Sequence, residues 1–111
     1  MIDKLIKRVF QARNAAHLQH WATKNGEEHR ALGAFYDDVI SSVDKLVEAR
    51  QGMFGLVKTE AKDPIDELEA DVLWITENRS KIAGNIPAIE NIVDELTGVY
   101  LSALYKLKNL R

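Results

Sequence analysis

A chain of 111 residues in which 46% of side chains are apolar and 29% charged is one domain's worth of ordinary globular protein, and composition excludes a disordered segment. Fifteen Lys and Arg against seventeen Asp and Glu leave a net charge of −2, which disfavours nucleic-acid binding driven by bulk positive charge. The lack of any cysteine excludes a disulfide framework, a Cys-ligated zinc site and a thiol nucleophile, and fits a reducing, cytoplasmic setting.

Two prolines and six glycines are sparse punctuation, and they divide the chain into four helical segments. The first, about Ile2–Ala22, opens on MIDKLIKRVF, where charge interleaves with apolar residues, so it is neither a signal peptide nor a bilayer span. Its apolar stripe runs through Ile2, Leu5, Ile6, Val9 and Arg13, and Asn25-Gly26 is expected to close it with a left-handed residue. The second, about Glu27–Met53, carries Leu32, Phe35, Tyr36, Val39, Val43, Leu46 and Val47 and stops at Gly52-Met53-Phe54-Gly55. In the third, Asp63 is expected as N-cap and Pro64 as first helical residue, and Ile65, Leu68, Val72, Ile75 and Ile82 repeat at helical spacing. The fourth begins at Asn85-Ile86-Pro87 and repeats Ile89, Ile92, Val93, Leu96, Val99, Tyr100, Ala103, Leu104 and Leu107 to about Asn109. No strand pattern and no internal repeat interrupts them. The expectation is an all-α four-helix bundle in one domain, residues 1–111, with self-association compensating for the small core available to so short a chain.

Chemistry concentrates in the first half. At 100° per residue His20 falls near the middle of the first apolar stripe and His17 near its edge, and an ionisable ring on such a face needs a hydrogen bond, a carboxylate or a metal. On the second helix Asp37, Asp44 and Glu48, spaced 7 and 4, lie within roughly 40° of one another, and the nearby cation, Lys45, points away. With His29 on the same helix, this carboxylate-and-imidazole set suits iron, or alternatively manganese or zinc. A solvated acidic face is the competing explanation. The carboxylates are rotated roughly 120–160° from the apolar centre, so a site joining them to His20 belongs where two subunits meet.

The run His20-Trp21, a turn containing Gly26, then His29, Asp44, Glu48, Arg50 and Gly55 resembles the Dps-type miniferritins of the ferritin-like superfamily. The resemblance covers about Ala15–Gly55 and implies a ferroxidase site across a two-fold dimer interface. His20, His29, Asp44 and Glu48 would be iron ligands, with Trp21 packed beside them. The family's carboxylate four residues after its second histidine is Gly33 here, and Asp37, one turn later, is the candidate substitute. The inserted short helix of the family has no room in Leu56–Asp63, and no lysine-rich tail precedes the bundle, features that set a compact relative apart from the shell-forming, DNA-binding members.

Other features invite plainer explanations. Lys4, Lys7, Arg8 and Arg13 fit a solvated helix face better than a membrane or phosphate surface. Trp74 fits core or interface, no Gly-rich phosphate loop follows a strand, and no nucleophile-elbow serine is present. Two functions therefore stand: a homo-oligomeric ferritin-like metal-binding protein, with Fe(II) oxidised by peroxide or dioxygen, or a metal-free helical interaction protein on the same scaffold.

Overall fold

The computed structural model describes all 111 residues. It is all-α, with four helices and no strand: α1 (Ile2–Ala22), α2 (Gly26–Phe54), α3 (Ile65–Ile82) and α4 (Pro87–Asn109). The boundaries lie within a residue or two of those expected from the glycine, proline and capping pattern. The helices form two compact units, Met1–Glu60 and Ala61–Arg111, each a helical hairpin in which α1 packs on α2 and α3 on α4. No helix is long and apolar enough to cross a membrane.

In the first unit, Ala16 of α1 is buried, while Ile2, Ile6, Val9, Arg13 and His20 are half-buried along the same stripe. Val43 of α2 is buried, flanked by half-buried Tyr36, Val39, Ile40 and Val47. The link between the helices differs from expectation. Asn25 has φ −90° rather than a left-handed value, and Gly26 already belongs to α2. With three residues between the helices, Asn25 serves α2 as its N-cap, its side chain accepting from the Glu28 N–H at 3.0 Å, while its own N–H donates to Thr23 Oγ1 at 3.1 Å. Gly55, with φ 86°, ends α2, where an L side chain would be strained. Beyond it the chain is held by Val57 N–H to Gln51 Oε1 at 3.1 Å and by the exposed Lys7–Glu60 pair at 2.9 Å.

In the second unit, Pro64 takes the N-cap position assigned to Asp63, which sits one residue earlier. Asp63 still does the capping, its carboxylate accepting from the Ile65 N–H at 3.1 Å, because proline leaves no donor nearer to it. Gly84 (φ 60°) and Asn85 (φ 61°) turn the chain from α3 into α4. Their N–H groups donate to Lys81 O and Ser80 O at 3.2 and 2.8 Å, a Schellman closure that satisfies the last carbonyls of α3. The core is Ile75, Ala83 and Val93 with Tyr100 packed against it, and Leu104 buried further along α4. Arg79 spans the hairpin: its guanidinium donates to both oxygens of Asp94 at 2.6 and 2.8 Å and to Glu90 at 2.7 Å. That geometry holds the Asp94 carboxyl below its ordinary range.

Candidate functional site

The turning end of the first hairpin, next to the three-residue link, gathers His20 and His29, with His17 one helical turn earlier. His20 leaves the last turn of α1 and His29 the first turn of α2, so the short link brings them face to face. Their rings stack with centroids 3.6 Å apart and 21° between planes. His20 Nδ1–H donates to the His29 carbonyl at 2.6 Å, and His29 Nδ1–H donates to the His20 carbonyl at 2.8 Å. A carbonyl can only accept, so both rings carry a proton on Nδ1, and in the neutral ring the lone pair is then on Nε2.

Gly33 forms the floor. A Cβ built there would lie 3.0 Å from His20 Cε1 and 3.3 Å from its Nδ1. Glycine, with no side chain, is the residue that lets an imidazole lie this close to the α2 backbone. Around the pair, His17 stacks on Tyr36 at 3.9 Å and 11°, and Trp21 tilts against His17 at 4.3 Å. The Arg13 guanidinium lies 5.5 Å from the Tyr36 ring centroid. Gln19 Nε2–H donates to Glu28 Oε1 at 3.1 Å across the same end. This ladder of Arg13, Tyr36, His17 and Trp21 escapes a reading of the sequence. Arg13 and His17 belong to the α1 stripe and Tyr36 to the α2 stripe, but their order in the stack depends on how the helices cross.

The carboxylates do not join the histidines within one chain. Asp37, Asp44 and Glu48 are exposed on α2 and make no hydrogen bond or ion pair in the chain. At about 1.5 Å rise per residue, Asp44 stands ~22 Å and Glu48 ~28 Å along the helix from His29. No three His, Asp or Glu side chains of the chain come together as a ligand set. The stacked pair also departs from a chelate, because in-plane lone pairs on nearly parallel rings run beside each other instead of converging on one point.

A family described as "Family of unknown function (DUF5856)" matches residues 20–107, a span that begins at His20 and takes in most of α4. The chain is also similar to the "Uncharacterized 14.6 kDa protein in mobD-ri intergenic region" of Enterobacteria phage T4. The two are 23% identical over 110 residues, covering 95% of this chain and 86% of the phage protein. No solved structure matches.

Proposed function

From a chain that belongs to the DUF5856 family, a family of unknown function, we propose a ferritin-like metal-binding protein whose site forms between copies. His20 and His29 of one copy supply nitrogen, and Asp44 and Glu48, with Asp37 beside them, supply oxygen from a second. The reading rests on one observation: both Nδ1–H groups are engaged by backbone carbonyls, the kind of bond that holds a metal-ligating histidine in the tautomer whose Nε2 can ligate. Carboxylates without a partner in their own chain are the complementary half, and a mixed N and O donor set suits iron, manganese or zinc. As stacked, the rings offer two separate nitrogens, so the acids of the second copy do the bridging. The finer proposal is ferroxidase chemistry, in which Fe(II) is substrate and each ion passes one electron to peroxide or dioxygen.

A metal-free helical interaction protein is the second reading. It is favoured by the histidines already satisfying each other within one chain, far along α2 from the acids.

Elemental analysis of protein purified without chelator, and thermal melts with Fe(II), Mn(II) or Zn(II), separate the two. Metal binding raises Tm by linkage, and Glu48→Gln with Asp44→Asn, at positions without partners, abolishes the rise while leaving the apo melt unchanged. Metal-free protein whose melt ignores all three ions overturns the metal reading and favours the interaction reading instead.

A further inference from the structure

Helix α4 carries two apolar faces, and only one is used by its hairpin. Val93 and Leu104 are buried against α3, with Tyr100 half-buried between them. Roughly a quarter turn away, Ile92, Leu96, Val99, Ala103, Lys106 and Leu110 follow one another at spacings of 4, 3, 4, 3 and 4, the seam of a two-helix coiled contact. Ile92, Leu96, Val99 and Leu110 are 62%, 51%, 68% and 65% exposed. Beside this seam lies a groove of about 430 Å³ between α3 and α4, whose apolar wall includes Trp74, Ile75, Ile82, Val93 and Leu96, with Asp71 and the Tyr100 hydroxyl it accepts from as its polar edge. A largely apolar stripe of this length, broken by Lys106 and lying beside a largely apolar groove, has the character of surfaces that other chains cover.

The charges along the stripe select its occupant. Glu95 flanks the seam in its first half, and Lys106 lies toward the same flank in its second half. A second α4 running antiparallel about a two-fold axis near Leu101 sets Ile92 against the partner's Leu110 and Val99 against the partner's Ala103. It also brings Glu95 beside the partner's Lys106. The reciprocal pair forms by symmetry. A parallel partner leaves the two charges about 16 Å apart along the axis, with no opposite charge to meet.

We propose that the outer seam of α4 is a self-association surface on which a second copy of this chain packs antiparallel, Glu95 of each meeting Lys106 of the other. None of these residues is a proposed metal ligand, and the inference stands apart from the metal reading.

Sedimentation velocity of the full chain in chelator tests it while removing any contribution from metal. The wild type sediments as a dimer at tens of micromolar. Glu95→Lys and Lys106→Glu each weaken association several-fold at low salt, and the double reversal restores it. Val99→Glu yields a monomer with undiminished helical circular dichroism. A monomeric wild type overturns the proposal, and so does a wild-type seam shielded from solvent labelling within a single chain. A dimer indifferent to Val99→Glu, or to both single charge reversals, overturns it equally, and the charge variants keep the test decisive should Val99→Glu unfold.

Discussion

His20 and His29 hold each other by two reciprocal bonds, each ring N–H reaching the other residue's carbonyl, at 2.6 and 2.8 Å, beneath a 3.6 Å ring stack. The clasp joins the last turn of α1 to the first turn of α2, so it ties the hairpin shut at the end where the chain turns. The same bonds decide which nitrogen of each ring remains available to a ligand.

The clasp makes Gly33 harder to replace than the helical glycines whose surroundings are open. Alanine in an open helix interior gains roughly 0.5–1 kcal/mol over glycine. At Gly98 of α4 an added methyl would meet nothing within 4 Å, so Gly98→Ala should gain that amount. Gly33→Ala brings its methyl to 3.0 Å from His20 Cε1, on a ring that the His29 stack prevents from retreating. Thermal melts should therefore rise by a few degrees for Gly98→Ala and fall for Gly33→Ala. A gain in both would show that the His20 ring is free to move.

Asn25→Ala removes the side-chain acceptor of the Glu28 N–H and should cost about 1 kcal/mol, read by chemical denaturation. Asn25→Asp, which keeps the acceptor, should cost far less. Equal losses would mean that the link and not the cap sets the stability of this hairpin end.

Acid should weaken the second hairpin through Asp94. Its carboxyl is depressed first by the hydrogen bonds from Arg79 and then by that residue's charge. A depressed carboxyl stabilises the fold above its unfolded value, and the contribution is lost as pH falls through the lower folded value. The loss is thus expected below about pH 4, and Asp94→Asn should flatten the stability profile there. An unchanged acid limb in Asp94→Asn would remove this pair from the pH dependence.

At the alkaline end the relevant group is Tyr100, whose hydroxyl donates to Asp71 Oδ2 at 2.9 Å. That bond, then desolvation and the negative charge nearby, raises the phenol's pKa. Its contribution to stability is present below the ordinary tyrosine value and lost as pH climbs through the raised one. Ultraviolet titration should show one late-ionising tyrosine, returned to the ordinary range by Asp71→Asn and absent in Tyr100→Phe. A late tyrosine that survives Tyr100→Phe would refute the assignment.

Much of the fold was legible because helix formation reports itself locally. Ile89 to Leu107 repeat at helical spacing whatever they pack against, and Gly55, Pro64 and Pro87 end or begin helices by their own backbone geometry. His20 could be placed on the packed face of α1 by angle alone, and Asp37, Asp44 and Glu48 on a separate exposed strip of α2. Asn25 misled because asparagine both ends and begins helices, and which it does depends on the length of the link.

Helix type, helix limits and the sidedness of each helix therefore belong to the sequence itself, since each follows from φ/ψ preferences and spacing within a few residues. The reciprocal histidine bonds, the floor at Gly33, the Tyr36–His17 stack and the Arg79 bridge were decided only in three dimensions. Those contacts depend on the crossing of two helices to within an ångström, and that is set by the packing of residues distant in the chain, which no local pattern encodes.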